Sequence, residues 1–525
     1  MIRNHGKSLI SDLAAPRRRE VLGGMAGLAA STALVAPFGA RPARAQEPKK
    51  GGHLKLAIAA GHTSDTLDPT IWTDTHAALV GLQVYNALVE IDENRQAKGE
   101  LAESWEAGDS PDLWRFTLRK GVTFHNGKEL DADDVIYSLG LHTAADSKSG
   151  AKPYMEQVTE MTADGKDKVV FKLTAPNADL PFLLSDYHLQ IVPAGFNDWA
   201  NTVGTGPFTL KRFEGGVTAE VARNPNYWKE GRGHVDSVET LCVNDTNARM
   251  SALQAGEVHY INRVDAKTAG LLQRSDKIQM AEALGGRFYP FVMITDRPPF
   301  DNNDLRLAIK YACDRERILQ TVLLGHGYVG NDHPIPRIDP FFHSELPQRP
   351  YDPDKAKYHL KQAGMDSFSV DLSASDAAFA NAVDAAVLYK ESAVAGGIEI
   401  NVVREAADNY WNDVWLKKPF CLSYWGGRPT ADLMLSVAFE GGAPWNDTFW
   451  KRDDFDAMLR EARGIVDFDK RKSLYWALQE MLSNEGGYLV PMFASDIAAA
   501  STEVGGVNSD PEQWLRVSER VWLES

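Results

Sequence analysis

Strand-like and helix-like segments alternate along almost the whole of this chain, and that alternation limits its fold more than any other feature. Residues 53–59 begin with the two-residue alternation of a strand and then become continuously small and apolar. Residues 74–88 instead repeat apolar side chains every three or four positions, as one face of a helix does. The interleaving continues to a helical pair at 454–466 and 470–482 and a strand at 488–493. We therefore predict an α/β fold.

The N-terminal segment is typical of a bacterial export signal. Three arginines at 17–19 precede an uncharged apolar run, which is followed by Ala43-Arg44-Ala45, a small-x-small cleavage pattern. The pair Arg18-Arg19, with Leu22 three residues on, favours the twin-arginine route, although Val21 departs from the commoner Phe. We predict that residues 1–45 are removed.

A membrane anchor is the alternative interpretation of the same segment. Gly, Ser, Thr and Pro interrupt its apolar run, which barely reaches the roughly 20 residues that a spanning helix needs. Cleavage is therefore favoured, with a mature protein that begins near Gln46 in the periplasm. About 480 residues then remain, which is too many for one hydrophobic core and predicts two or three domains.

Charge and cysteine content exclude several classes of function. The formal net charge is −16, and the first 45 residues hold seven basic and two acidic side chains, so the mature chain carries −21. Such an acidic chain is an unlikely partner for nucleic acid or an anionic membrane surface. Cys242, Cys313 and Cys421 are too far apart for a metal-ligand motif. One disulfide with a leftover thiol is an alternative, but we expect three buried thiols.

Seven short blocks occur in a fixed order along the mature chain. They are Thr66-Leu67-Asp68-Pro69, Leu101-Ala102-Glu103-Ser104-Trp105, the run from Trp114 to Gly127, Ala132-Asp133-Asp134-Val135, Gly204-Thr205-Gly206-Pro207-Phe208, Asn224-Pro225-Asn226-Tyr227-Trp228 and Leu305-Arg306-Leu307-Ala308-Ile309. Within the third block, His125 has no His or Cys neighbour that would make it a ligand. We expect it to be structural.

These blocks resemble the extracytoplasmic solute-binding proteins of ABC importers in the peptide/nickel class, which includes dipeptide and oligopeptide binders. The resemblance covers essentially all of the mature chain. It implies a two-lobed clamshell that closes on its ligand by a hinge motion, with an extra subdomain in the first lobe. The first lobe would comprise 46–84, 203–284 and 496–525, the extra subdomain 85–202, and the second lobe 285–495.

The resemblance also implies the partners. We expect a monomer without cofactor that captures a small solute, most simply a short peptide, and delivers it to a membrane ABC permease. An opine-like or other carboxylated conjugate, a sugar or a metal chelate are alternatives in the same fold. A chemosensory role would share that fold too. Scattered histidines and sparse cysteines argue against a bare metal ion.

The candidate pocket centres on the end of an apolar strand at 420–425. Gly426-Gly427 follows, where missing side chains allow a backbone to approach a ligand closely. In peptide-binding relatives an aspartate just after this strand pairs with the ligand's α-amino group, but here Arg428 occupies that place. We expect Arg428 either to bind an acidic group of the ligand or to pair with Asp432 and shape the pocket. A structural salt bridge is the remaining interpretation.

Aromatic residues beside Gly, Pro, Asn and Asp are expected to form the walls of the pocket. Trp72 is the expected contribution of the first lobe, and Tyr289 lies where the chain should cross between lobes. The predicted ligand-binding residues are Trp72, Tyr289, Tyr410, Trp411, Trp425, Arg428, Asp432, Trp445 and Asn446.

An enzyme, such as a periplasmic peptidase or glycosidase, is the main alternative from another class. The sequence contains no G-x-S-x-G, no H-E-x-x-H and no Cys/His pairing. The paired carboxylates at 133–134 and 453–454 stand at predicted helix starts, where capping explains them. We therefore predict a binding protein without catalytic activity.

Overall fold

The computed structural model describes residues 47–509 and 513–524, and the predicted export signal lies outside them. Strands and helices alternate through this part of the chain, which confirms the α/β class. No helix in these residues combines the length and hydrophobicity needed to cross a membrane.

The strands are short and are distributed along the described chain. They are β1 (His53–Ile58), β2 (Val89–Ile91), β3 (Ala97–Gly99), β4 (Ala102–Ala107), β5 (Leu113–Leu118), β6 (Val158–Ala163), β7 (Lys168–Leu173), β8 (Phe208–Glu214), β9 (Thr218–Arg223), β10 (Ser237–Cys242), β11 (Tyr260–Ile261), β12 (Ile278–Ala283), β13 (Phe291–Met293), β14 (Gly327–Val329), β15 (Phe368–Ala374), β16 (Ile398–Arg404), β17 (Phe420–Leu422), β18 (Tyr488–Leu489), β19 (Met492–Ala494), β20 (Asp496–Ser501), β21 (Val504–Gly505) and β22 (Trp522–Leu523).

The helices are concentrated in the second half of the chain. They are α1 (Thr75–Val84), α2 (Ala132–Thr143), α3 (Lys152–Met155), α4 (Leu180–Leu183), α5 (Thr246–Gln254), α6 (Ala266–Leu272), α7 (Asn303–Tyr311), α8 (Arg315–Val322), α9 (Pro353–Gln362), α10 (Ala382–Ala393), α11 (Tyr410–Asp413), α12 (Ala431–Ala438), α13 (Asp453–Arg463), α14 (Phe468–Glu485) and α15 (Gln513–Arg520).

A seven-stranded sheet collects strands from three distant stretches of the chain. Its spatial order is β12-β20-β11-β1-β10-β9-β8, with β1 parallel to both β10 and β11. β20 lies between β11 and β12 and runs antiparallel to both. These strands all fall within the three segments expected for the first lobe.

Two further sheets lie in the other predicted segments. An antiparallel sheet of order β4-β5-β7-β6 lies between residues 85 and 202, with Phe116 and Phe171 in its core. A mixed sheet of order β16-β15-β17-β13-β18 lies between residues 285 and 495. Each of the three sheets packs over its own main hydrophobic core, as expected for a chain of this length. The domain boundaries themselves stay a prediction.

Local signals in the sequence set several element ends. The Asp131 carboxylate accepts a hydrogen bond from the Asp134 N–H, and the Asp134 carboxylate accepts one from the Asp131 N–H, so α2 begins with a capping box. Gly364 follows α9 with a φ of 78°, the left-handed conformation in which many helices end. The predicted strand at 488–493 is instead split into β18 and β19. Pro491, between them, has no N–H to continue a ladder. β18 pairs with β13, whereas β19 pairs with β14.

His125 and the cysteines are structural. The His125 ring Nε2 lies 3.0 Å from the Gly206 carbonyl oxygen, as expected for a structural histidine, and burial lowers its pKa. All three cysteines are free. Cys313 and Cys421 are buried, but Cys242 is only half-buried, so the expectation of three buried thiols is wrong for that residue.

A buried ion pair joins distant stretches of the fold. The Glu100 side chain is fully buried and accepts hydrogen bonds from Arg516 at 2.6 and 3.0 Å and from Lys229 at 3.1 Å. It also accepts one from the Ala87 N–H at 3.1 Å. Burial alone would raise the pKa of Glu100, but Arg516 and Lys229 hold it below its usual value. This carboxylate therefore ties the 85–202 stretch to the 203–284 segment and to the C-terminal segment.

Removing this carboxylate should destabilise the whole protein. We expect Glu100→Ala to lower the free energy of unfolding by about 3 kcal/mol, because it leaves Arg516 and Lys229 with only Glu90 and Glu519 as carboxylate partners among the described residues. Guanidinium denaturation followed by tryptophan fluorescence measures the change. The control is Glu106→Ala, since Glu106 pairs with Arg115 at the surface, where the two side chains are 69% and 45% exposed. Equal effects of the two substitutions would contradict this role of Glu100.

Candidate functional site

A cavity of about 420 Å³ is lined by residues from all three predicted segments. Leu82 and Asp496 come from the expected first lobe, and Asp186 comes from the extra subdomain. Ile338 and Arg428 come from the second lobe. A pocket of this volume, built where separate sheets meet, is typical of small-ligand sites. We take it as the candidate binding cleft.

Gly427, directly before Arg428, packs closely against the backbone of Gly286. A Cβ on Gly427 would lie 3.2 Å from the Gly286 Cα, and a Cβ on Gly286 would lie 3.0 Å from the Gly427 Cα. Close to them, Phe288 and Trp425 exchange N–H···O bonds of 3.0 Å. Gly427 therefore permits a close approach of two backbones along the cleft. The predicted approach of backbone to ligand stays a prediction.

Arg428 lies at the cavity with no acidic partner. Its half-buried guanidinium donates to the Gly426 and Gly427 carbonyl oxygens at 3.2 and 3.4 Å and lies 5.5 Å from the centre of the Trp425 ring. Burial lowers the pKa of Arg428, and no described carboxylate forms an ion pair with it. The cleft therefore presents a cation whose remaining donors can bind an anion.

The acidic side chains at the cavity already have partners. Asp186 accepts hydrogen bonds from the His188 N–H and ring Nδ1 at 2.9 and 2.6 Å. These bonds lower the pKa of Asp186 although burial opposes them. Asp496 lies 3.8 Å from Arg287, and Asp339 accepts a hydrogen bond from the Phe341 N–H at 2.8 Å. Burial raises the pKa of Asp339 to about 6.

Asp432 does not pair with Arg428, so that alternative is wrong. The Arg463 Nε donates to both Asp432 oxygens at 3.1 and 2.9 Å, because α12 and α13 pack together. The Tyr475 hydroxyl donates to the same carboxylate at 3.3 Å. Burial raises the pKa of Asp432 to about 6. Tyr475 also contacts Arg471, which pairs with Asp179 from the 85–202 stretch. Asp432 thus belongs to a buried ion cluster between two segments of the fold.

Four other predicted residues are also buried away from the cavity. Trp72 is 3% exposed because its ring packs against Gly81 on α1. Its indole donates to the Thr66 carbonyl oxygen at 3.0 Å. Tyr289 stacks on a phenylalanine ring at 4.3 Å, and the Tyr410 hydroxyl donates to a backbone carbonyl at 2.8 Å. Asn446 donates to two backbone carbonyls at 2.8 and 3.3 Å. The polar groups of Trp72, Tyr410 and Asn446 are bonded within the protein, and none of the four residues lines the cavity.

The remaining predicted aromatics, Trp411, Trp425 and Trp445, do not line the cavity. They belong to two contacting groups, one of which includes Trp425 beside Arg428. Trp425 and Trp445 lie edge to face with ring centres 6.1 Å apart. Trp411 lies 5.4 Å from Tyr424, a residue that the sequence analysis did not select, and 6.0 Å from Trp415. Trp411, Tyr424 and Trp445 are 37%, 48% and 50% exposed.

Asp447 connects the two aromatic groups beneath the surface. Its carboxylate accepts hydrogen bonds from the indoles of Trp415 and Trp425 at 2.9 and 3.3 Å and from the Tyr488 hydroxyl at 2.6 Å. Burial raises the pKa of Asp447 to about 6. Asp447 is not among the predicted residues, because an aspartate in a loop two positions after a tryptophan carries no signal of what it will contact.

A second cavity, of about 410 Å³, lies on the other side of the 333–342 segment. His333 lines it, is 1% exposed, and has no hydrogen-bond partner for either ring nitrogen among the described residues. Burial lowers its pKa to about 4, so the ring is neutral at pH 7. Across residues 47–509 and 513–524, no three His, Cys, Asp or Glu side chains are grouped so as to hold a metal ion.

Comparison with known proteins agrees with this geometry. The family model described as "Bacterial extracellular solute-binding proteins, family 5 Middle" matches residues 96–447. The chain is 27% identical to heme-binding protein A of Haemophilus influenzae over 467 residues, which cover 82% of this chain and 85% of that protein. It is 25% identical to the oligopeptide-binding protein AppA of Bacillus subtilis over 520 residues, covering 91% and 93%. Its fold is similar to that of HbpA2 from Haemophilus parasuis, with a TM-score of 0.82, 22% identity and coverage of 90% and 100%.

The buried imidazole of His333 should make stability depend on pH. Its pKa is about 4 in the folded protein and 6.5 in an unfolded chain, so only the unfolded chain takes up a proton between these values. The contribution of His333 to stability is therefore lost as the pH falls from about 6.5 towards 4. We expect His333→Phe to flatten this loss in denaturation curves recorded between pH 7.5 and 4.5. At pH 7.5 the substitution should have little effect, because the ring makes no hydrogen bond.

His62→Phe is the matched control, since the His62 ring is 60% exposed. It should keep the pH profile of the unsubstituted protein. Parallel profiles for His333→Phe and the unsubstituted protein would contradict the buried neutral ring.

Proposed function

The chain belongs to the bacterial extracellular solute-binding proteins of family 5, as its ordered blocks predicted, and we propose that its ligand is a short peptide whose carboxylate binds Arg428. Proteins of this family are transport receptors that bind a peptide or other small ligand and associate with an ABC permease. They are not enzymes, so the prediction of a non-catalytic binding protein is confirmed.

The half-buried guanidinium of Arg428 carries the proposal. It lines the cavity, its partners are two backbone carbonyls, and no described carboxylate neutralises it. A guanidinium in this setting binds a carboxylate with charge-assisted hydrogen bonds, which are stronger than neutral ones. The acids at the cavity do not compete, because Asp186 is bonded to His188 and Asp496 lies beside Arg287.

Two adjacent chain crossings support a clamshell arrangement. β12 ends at 283 and β13 begins at 291, while β19 ends at 494 and β20 begins at 496. Gly285 lies against Ala494, since a Cβ on Gly285 would be 2.2 Å from the Ala494 carbonyl oxygen. We propose these crossings as the hinge between the first lobe (46–84, 203–284, 496–525) and the second (285–495), with 85–202 as the extra subdomain. A ligand would favour closure through its greater affinity for the closed state.

A carboxylated conjugate, such as an opine-like molecule, is the second candidate. The family resemblance implies an aspartate at the position of Arg428, where it would bind the α-amino group of a peptide. This chain has an arginine there instead. A ligand that is recognised first through an anionic group therefore suits this cleft even without a free amine.

Native mass spectrometry of the mature protein, purified gently from a periplasmic extract, identifies the ligand class. We expect a bound mass that fragments into amino acids, because a cleft closed between two lobes releases its ligand slowly. A mass that fragments into a sugar or a metal chelate would overturn the peptide assignment, while the transport role would stand. An opine-like mass would select the second candidate.

Substitution of Arg428 tests carboxylate recognition directly. We expect the protein to bind Ala-Phe at least about tenfold more tightly than Ala-Phe amide, because one charge-assisted hydrogen bond contributes free energy on this scale. Arg428→Ala should lose this preference. Isothermal titration calorimetry measures both affinities. Arg337→Ala is the control, because Arg337 is exposed and lies at the second cavity. A preference that survives in Arg428→Ala would refute the role of Arg428.

A further inference from the structure

Three large aromatic side chains close to Arg428 are exposed to solvent. Trp411, Tyr424 and Trp445 are 37%, 48% and 50% exposed, and all come from the stretch 411–445. Exposed apolar surface concentrated in one place marks an interaction site more often than surface scattered singly. Tryptophan and tyrosine are also the side chains that offer most contact area for least loss of conformational freedom.

The exposed rings are connected to the cleft through Trp425. The Arg428 guanidinium lies 5.5 Å from the Trp425 ring centre, and that ring contacts Trp445 at 6.1 Å. Trp411 and Tyr424 form the neighbouring pair at 5.4 Å. We call Trp411, Trp415, Tyr424, Trp425 and Trp445 the aromatic platform. The platform side chains do not line the 420 Å³ cavity themselves. Arg428 lines it and lies over Trp425, so the platform begins next to the cavity.

Asp447 holds the platform from below. It is fully buried, and Trp415 and Trp425 both donate to its Oδ2, while Tyr488 donates to its Oδ1. No ion pair to Asp447 occurs among the described residues, so three neutral donors satisfy this carboxylate. A buried carboxylate is costly unless its oxygens are hydrogen-bonded, and breaking this arrangement would leave its charge unsatisfied. The rings that donate to it are therefore fixed in orientation.

We propose that the ligand carries an aromatic group that packs on the aromatic platform, and that Asp447 is the positioning residue that fixes the platform before the ligand arrives. This inference rests on the proposed function, because the carboxylate of the same ligand occupies Arg428. It narrows the ligand class to peptides or conjugates with an aromatic group near their carboxylate. Rings that are already oriented lose little freedom on binding, which favours affinity.

Two dipeptides that differ only in the C-terminal side chain test the ligand class. We expect calorimetry to give at least about tenfold tighter binding of Ala-Phe than of Ala-Ala. Trp445→Ala should weaken Ala-Phe about tenfold and Ala-Ala less than twofold. Tyr358→Ala is the control, because Tyr358 is a 57% exposed aromatic on α9. Its affinities should equal those of the unsubstituted protein.

Asp447→Asn tests the positioning role. The amide can accept hydrogen bonds at only one of the two oxygen positions, so either the indoles or Tyr488 loses its acceptor. We expect a changed near-ultraviolet dichroism of tryptophan, unchanged far-ultraviolet dichroism, and a preference for Ala-Phe over Ala-Ala that falls severalfold. Equal weakening of both dipeptides would overturn the positioning role. The Trp445→Ala measurement decides the ligand class independently of whether Asp447→Asn folds.

The outcomes separate this inference from the proposed function. Equal affinity of the unsubstituted protein for Ala-Phe and Ala-Ala would overturn the aromatic ligand class and leave the peptide function standing. Binding of neither dipeptide would overturn both. A preference for Ala-Phe that Trp445→Ala removes would support the inference.

Discussion

The ion pair between Glu100 and Arg516 fixes one wall of the cavity, because it holds the 85–202 stretch against the C-terminal helix. Glu100 belongs to the 85–202 stretch, Arg516 comes from the C-terminal helix, and Lys229 joins them from a third stretch. Arg516 also lines the cavity. Because the carboxylate is buried and saturated with donors, its geometry is fixed, and the cleft wall built on it is fixed as well.

Some charged side chains at or near the cleft are paired within the protein, whereas Arg428 can still bind a ligand. Asp432 looks functional in the sequence but is held by Arg463, and Asp186 is held by His188. Arg428 alone among the predicted site residues combines a position at the cavity with an unneutralised charge. Aromatic rings continue the surface next to it. Relatives named for heme and for oligopeptides match most of this chain.

The sequence predicted the class, the family and many element ends, because these depend on local patterns such as the capping box at Asp131. It predicted the site less well. Trp72 and Tyr410 stand beside turn-forming residues, which favours a loop position, but each finds a backbone carbonyl for its polar atom inside a core. Asp447 was missed for the opposite reason. Its three donors come from 415, 425 and 488, and no local pattern brings those positions together.

The position of β20 in the seven-stranded sheet has a consequence for synthesis. β12 is joined to the sheet only through β20, and β20 is made of residues 496–501. A ribosome therefore completes β1 hundreds of residues before it produces the strand that completes the same sheet. Until residues 496–501 are in place, the edges of β11 and β12 stay open, a state that invites mispairing and makes protection by a chaperone valuable.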